Sequence, residues 1–271
     1  MLKKIISVFT VLSVFLALLA FSPVLAKNNK NTEEFTPPEI DGTYDVPGHP
    51  EMKVKVFVHK AKPVKPPAPE PSTELVCELY DFNSTSTVSA AGWYLPDGTW
   101  NYWVNTSSVP SSIKGDTNQL VQKAFNTWSD AVGSEVTFNK MGETFVVRAS
   151  LDFKNIIAWG RTSASALAVT YTWYYTATHQ VADVDTIMNQ KYFWTWADPN
   201  SWETPEGTTC AYTNSYDAQN ILTHELGHWM GLNDHYTGGY VNNTMYGYGS
   251  KVETKKDTLT DGDIAGVNLI Y

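Results

Sequence analysis

Three residues in the C-terminal part of the chain have types and a spacing that suit metal chemistry: His224, Glu225 and His228, in the order H-E-x-x-H. On a helix, residues four apart are separated by roughly 40° around the axis and about 6 Å along it, so both imidazoles can face one ion. Glu225 is turned by about 100° from His224, so its carboxylate flanks the ion and need not bind it. The pattern predicts a metal site with two histidine ligands and a carboxylate placed as a general base.

A third ligand is expected from the turn that follows. Gly231 suits the end of the helix, because a residue with a left-handed backbone is needed there to reverse the chain. Asp234 and His235 come next, at the tenth and eleventh positions after His224, and each carries an atom that binds zinc. From this spacing alone both residues are candidates. A different plan would take the ligand from a later helix, where Glu253 is the only glutamate that remains.

The helix that carries the motif can bury its opposite side. Asp217 or Ser215 suits its first turn as a cap, and we expect the helix to run to about Met230. Four apolar residues share a face centred about 150° from His224, namely Ala218, Leu222, Leu226 and Trp229. The histidines are therefore predicted to point away from the face that packs.

Patterns upstream of the motif predict a sheet backed by helices. Apolar residues recur at helical spacing over residues 117–132. Four segments with a period of two then predict strands at Val136–Phe138, Phe145–Phe153, Ala166–Trp173 and Val181–Met188. A helix, several strands and a second helix indicate an α/β (α+β) fold.

Three regions are predicted along the chain. Residues 1–26 resemble a secretory signal, with two lysines, an apolar run and small residues before a cut; an uncleaved membrane anchor is the alternative. Residues 27–88 are polar and rich in proline, as in a pro-segment or a spacer, and only Met52–Val58 alternates like a strand. Residues 89–271 are predicted to form the globular part with the metal site.

Composition and charge limit the classes of partner molecule that the chain could bind. A net charge of -9 at pH 7 argues against nucleic acid and provides no basic patch for an anionic membrane. We expect a secreted, extracellular monomer without stable membrane association after the signal is removed. Cys77 and Cys210 are expected either to pair as a disulfide in an oxidising compartment or to leave one thiolate free to block the metal.

Two further stretches, both after the motif in the chain, contain recognisable structural patterns. Asn243–Gly247 contains a methionine placed as in a Met-turn, and Leu259–Tyr271 begins with Thr260 and Asp263 at the spacing of a capping box. Together with H-E-x-x-H-x-x-G-x-x-D over residues 224–234, they resemble the metzincins and, among these, the matrixins. The aspartate at the tenth position is similar to the snapalysin subset, in which an aspartate is the third zinc ligand.

This resemblance implies a metzincin-like twisted sheet, a catalytic helix and a Met-turn subdomain. It implies a zinc-dependent endopeptidase that acts on proteins or peptides, with Glu225 as its catalytic base. The Zn²⁺ ligands would be His224, His228 and Asp234. A substrate would lie antiparallel to an edge strand and bind through main-chain hydrogen bonds; the resemblance places that strand at Ala166, Leu167, Ala168 and Val169.

Two other interpretations stay open. Asp152, Asp183 and Asp185 could hold Ca²⁺ on a loop, although solvated carboxylates at strand ends explain the same residues. In place of an enzyme, the chain could be an exported, non-catalytic protein that binds peptides or cell-wall material and keeps zinc as a structural ion.

Overall fold

The structure is a computed structural model that describes residues 35–63, 74–96, 98–133, 135–163 and 165–271. The secretory signal predicted at residues 1–26 lies outside these ranges. Within them, no helix is both long and apolar enough to cross a membrane.

Helices and short or long strands follow one another along the described chain. The helices are α1 (Thr117–Val132), α2 (Ala218–Trp229) and α3 (Asp261–Val267). The strands are β1 (Gly42–Val46), β2 (His49–Ala61), β3 (Leu75–Val76), β4 (Gly98–Val104), β5 (Val136–Glu143), β6 (Asn155–Gly160), β7 (Ala166–Tyr175), β8 (Val181–Asn189), β9 (Trp194–Thr195), β10 (Ala211–Tyr212), β11 (Tyr216–Asp217) and β12 (Tyr248–Gly249).

The main sheet is mixed, with the strand order β1-β2-β7-β8-β6-β4-β5 and β12 beside β2. Strands β4, β5, β6 and β8 are paired in parallel, whereas β7 runs antiparallel to β8 and β2 runs antiparallel to β7. Apolar side chains of α1 and α2 form one core with one face of the sheet, and a second apolar cluster covers the other face. The predicted sheet with helices packed on it is confirmed.

One predicted strand, at residues 145–153, is wrong. This stretch is a loop, and the strand of the region is β6, all six residues of which are buried between the parallel neighbours β4 and β8. A strand buried on both faces has no polar alternation, so the pattern could not reveal it. The carboxylates of Asp183 and Asp185 hold the loop by accepting hydrogen bonds from the backbone N–H groups of Ser150, Asp152 and Phe153.

The same contacts bear on the calcium interpretation. Asp183 and Asp185 are buried on β8, where burial raises the pKa of Asp183 to about 7 and the pKa of Asp185 well above its ordinary value. Among the described residues, neither aspartate belongs to a group of side chains that lie close enough together to bind one metal ion. The loop-binding role accounts for these carboxylates, and calcium stays a prediction without support.

The described parts of the segment predicted as a pro-segment or spacer pack on the rest of the chain. Residues 42–61 form β1 and β2 within the main sheet, which extends the single strand predicted at Met52–Val58. A disulfide joins Cys77 to Cys210, so the alternative of a free thiolate at the metal is wrong. Val88 is fully buried in the core that holds α2. The stretch just after the disulfide therefore belongs to the folded unit.

Candidate metal centre

Helix α2 presents the H-E-x-x-H residues from a fixed position. Asp217, one of the two predicted caps, caps the helix by accepting a hydrogen bond from the Asn220 backbone N–H at 2.9 Å. A Cβ on Gly227 would lie 2.2 Å from Met245 Sδ, so the glycine leaves the space in which the methionine packs against α2. Gly231 has φ +88° and lies against the Trp93 carbonyl oxygen, which explains the glycine that reverses the chain.

Both histidines have a defined tautomer. His224 Nδ1 lies 2.7 Å from the Thr244 carbonyl oxygen, and His228 Nδ1 lies 2.9 Å from the Leu232 carbonyl oxygen. Because a carbonyl only accepts, each Nδ1 carries the proton and each Nε2 keeps a bare lone pair. Burial lowers the pKa of His228 to about 4 and that of His224 well below its ordinary value, which keeps both rings neutral.

The lone pairs converge on a carboxylate. Asp234 Oδ1 lies 3.0 Å from His224 Nε2 and 3.7 Å from His228 Nε2. None of the three atoms has a hydrogen-bond partner among the described residues. Three buried acceptors that face one another repel unless a cation lies between them, and ligands of tetrahedral zinc are spaced by roughly 3.3 Å. The residues present therefore fit a zinc ion.

The competing third ligand points elsewhere. His235 Nε2 accepts a hydrogen bond from the Ser89 backbone N–H at 3.0 Å, and its ring stacks on Tyr240 with centroids 3.9 Å apart. Glu253, the ligand of the alternative plan, lies 3.6 Å from the Lys256 ammonium. Within the described chain, it does not belong to any group of side chains that lie close enough together to bind one metal ion.

Glu225 is held by a chain of hydrogen bonds that starts in the core. Trp229 Nε1 donates to Thr186 Oγ1, the Thr186 and Thr170 hydroxyls are 2.7 Å apart, and Thr170 Oγ1 donates to Glu225 Oε2 at 2.6 Å. Burial raises the pKa of Glu225 well above its ordinary value. A general base works best when its pKa is near the working pH, so a raised pKa suits this carboxylate to that role at neutral pH. The hydrogen bond from Thr170 orients Oε2, while Oε1 points toward strand β2.

The Met-turn is tied to the last helix. Thr260 caps α3 and forms the predicted capping box with Asp263. The Asp263 carboxylate also accepts hydrogen bonds from the backbone N–H groups of Thr244 and Met245, at 2.9 and 3.2 Å. A single buried side chain thus fixes the start of α3 and the floor of the metal site.

Strand β2 lies on the edge of β7 that was predicted to bind substrate. We call the space that β2 fills, between β7 and β12, the cleft. The antiparallel register of β2 and β7 runs from Met52 beside Tyr175 to Lys60 beside Ala166. On its other side β2 is parallel to β12, and the Lys60 N–H donates to the Gly247 carbonyl oxygen at 3.3 Å. An extended chain held between an edge strand and a cleft wall is the geometry of peptide binding by strand addition.

Two side chains of β2 reach the metal-site residues. The Phe57 ring stacks on His228 with centroids 3.7 Å apart. The His59 ring lies 3.8 Å from the His224 ring, and its Nδ1 lies 3.2 Å from Glu225 Oε1. His59 is fully buried, and burial lowers its pKa well below the ordinary value, so the ring is neutral. The free oxygen of Glu225 therefore faces the chain's own imidazole.

Sequence reasoning missed the partner of that imidazole, Lys256. Its ammonium is fully buried and lies 3.1 Å from His59 Nε2, and burial lowers the pKa of Lys256 to about 8. Lys256 lies in a charged run, which in sequence suggests only a solvated surface. Thr170 was missed for a similar reason, because threonine is a common strand residue and its presence in β7 indicates only that the strand packs well.

Comparison with known proteins places the arrangement in a family. The family model described as Matrixin, a peptidase family, matches residues 93–271, which is more than half of the chain. Comparison with curated proteins gives no match. The match begins at the aromatic segment before β4 and includes α1, α2, residues 243–247 and α3. The chain therefore belongs to the matrixin family of metallopeptidases.

Proposed function

We propose that the chain is a secreted, zinc-dependent metalloendopeptidase whose third metal ligand is Asp234. One observation carries the proposal. The Nε2 atoms of His224 and His228 and the Oδ1 atom of Asp234 converge without hydrogen-bond partners among the described residues, beside the oriented carboxylate of Glu225. Proteins and peptides are the substrates, in keeping with the peptidase family.

The residues divide the chemistry between them. Bound zinc would supply a Lewis acid that polarises the scissile carbonyl and lowers the pKa of water in the site. Glu225 Oε1 accepts a proton from the attacking water and returns it to the leaving amine, while Thr170 keeps the other oxygen in place. Two neutral imidazoles and one carboxylate leave a site charge of +1, so acidification of water should be weaker than with three histidines.

The substrate would take the place that β2 holds in the structure. Residues 166–169 of β7 offer their main-chain groups to an antiparallel strand, as the resemblance implies for a substrate. We propose accordingly that residues from 27 into the 64–73 stretch are a removable pro-segment. The part from Cys77 onward stays with the enzyme, because the disulfide and the buried Val88 attach it to the folded unit.

Zinc content tests the ligand set. Asp234→Ala removes a direct ligand, so the zinc dissociation constant should rise by more than the roughly 100-fold that loss of an outer-shell partner can cost. His235→Ala is the matched control at the neighbouring position, and its zinc content should equal that of wild type. Metal analysis and competition with a chelating dye measure both. Retention of zinc by Asp234→Ala together with loss by His235→Ala would contradict the proposal.

The non-catalytic alternative predicts a different result for zinc binding and cleavage. A binding protein with a structural zinc would hold the metal but cleave nothing, with or without β2 in the cleft. A binding surface for peptides or cell-wall material would expose aromatic rings, but of the tryptophans at positions 194, 196 and 202 only Trp202 is exposed, whereas Trp194 is fully buried and Trp196 nearly so. The peptidase proposal accounts for the oriented Glu225, which a structural zinc site does not need.

A further inference from the structure

The His59 side chain fills a closed pocket beside Glu225. A Cβ on Gly249 would lie 2.6 Å from Leu167 Cδ1, 2.8 Å from Ile221 Cδ1 and 3.1 Å from His59 Nε2. These contacts place the pocket between β7, α2 and β12, with the apolar side chains of Leu167 and Ile221 in one wall and the His224 ring in another. The glycine in the wall leaves the space that the imidazole occupies.

The far end of the pocket is a buried cation. Lys256 Nζ donates to the carbonyl oxygens of Tyr246 at 2.7 Å and Tyr248 at 2.8 Å, and it lies 3.1 Å from His59 Nε2. An ammonium has three protons to donate. Two of them hold the cleft wall, and the third points at the pocket occupant. Glu253, at 3.6 Å, is beyond ordinary hydrogen-bond distance.

This geometry sets a requirement on any side chain that enters. Because Lys256 only donates, His59 Nε2 must accept, which puts the ring proton on Nδ1, opposite Glu225 Oε1. An aliphatic occupant of the same size would leave a buried ammonium proton without a partner, which costs more than a neutral donor left unpaired. A carboxylate, amide or imidazole acceptor avoids that cost.

We propose that Lys256 determines specificity: the cleft selects a peptide whose side chain beside the scissile bond ends in a hydrogen-bond acceptor, and His59 of β2 mimics that side chain. The inference rests on the proposed peptidase function, whose substrate occupies the position of β2. Glutamine, glutamate, asparagine and histidine are the residue types that fit the pocket chemistry, and leucine of similar size does not.

The intact chain provides a test that needs no catalysis. His59→Gln keeps an acceptor for Lys256, whereas His59→Leu removes it. Hydrogen exchange of the β2 amides, followed by mass spectrometry, should be at least about ten-fold faster in His59→Leu than in His59→Gln. In a Lys256→Met background the two variants should exchange alike, because the partner is gone. Equal exchange of the two variants with Lys256 present would overturn the proposal.

A matched control separates this role from general damage to the wall. Lys255 is the neighbouring lysine, and its ammonium contacts the Val241 carbonyl oxygen outside the pocket. In a Lys255→Met background, His59→Leu and His59→Gln should still differ as in the parent chain. If Lys256→Met fails to fold, the single comparison of the two His59 variants still decides the matter.

The closing experiment measures substrate choice by the enzyme after its pro-segment is cut away. Peptide pairs differ only by glutamine or leucine at one of the two positions flanking the cleaved bond. We expect kcat/KM to favour glutamine by at least about ten-fold at one of them, Lys256→Met to remove the preference, and Lys255→Met to keep it. Equal cleavage of both peptides by wild type would refute the specificity role alone. Cleavage of neither would refute the peptidase proposal, and the exchange measurement would still report on Lys256.

Discussion

Replacement of Glu225 by glutamine is expected to lower kcat for peptide hydrolysis by at least about 100-fold while zinc binding persists. The physical reason is that glutamine keeps the shape and the hydrogen bond from Thr170 but cannot take a proton from water. The measurement is cleavage of an unfolded protein substrate by the chain freed of β2, with zinc content determined on the same preparation.

A second variant serves as the control for that experiment. Thr170→Val removes the hydroxyl that orients Glu225 Oε2 but leaves the carboxylate, so its kcat should fall by less than that of Glu225→Gln. Equal rates for wild type and Glu225→Gln, with both retaining zinc, would show that hydrolysis does not proceed through this carboxylate.

Cutting the chain within residues 64–73 is expected to increase its peptidase activity. In the intact chain β2 is tethered beside the cleft, so its docking is intramolecular and corresponds to a high effective concentration. After a cut, residues upstream of it can leave, since the Cys77–Cys210 disulfide lies on the other side. An inserted recognition sequence for a specific protease should give a rise in peptidase activity of at least about ten-fold on dilution.

Two controls make the result of the cut decisive. The same cut in Glu225→Gln excludes a contribution from the added protease. A recognition sequence placed beside Trp202, which is highly exposed, reports on nicking as such and should leave activity low. Size-exclusion chromatography shows whether the N-terminal fragment has left. Unchanged activity after its departure would contradict the assignment of β2 as the occupant of the substrate cleft.

Local signals in the sequence were sufficient to predict helices α2 and α3. Helix α2 begins after Asp217 and ends close to Met230 as predicted, because a cap, an apolar face and a reversing glycine lie within a few residues of one another. The capping box of α3 is also confirmed. The choice between Asp234 and His235 came only from resemblance, since spacing cannot tell which side chain a turn directs inward.

Non-local features could not be predicted in the same way. The pairing of β2 with β7 joins residues more than a hundred positions apart, and alternation in Met52–Val58 indicated a strand without indicating its neighbour. Lys256 becomes part of the site only because β2 brings His59 to it. The loop at 145–153 was misassigned because its backbone bonds to Asp183 and Asp185 are invisible to periodicity.

The most direct test of the proposed metal centre is a crystal structure of the zinc-loaded chain with anomalous scattering recorded at the zinc absorption edge. We predict a single strong peak bonded to His224 Nε2, His228 Nε2 and Asp234 Oδ1, with Glu225 close to it but outside the ligand set. A peak bonded to His235, or crystals of zinc-loaded protein without a peak between the two helix histidines, would contradict the account.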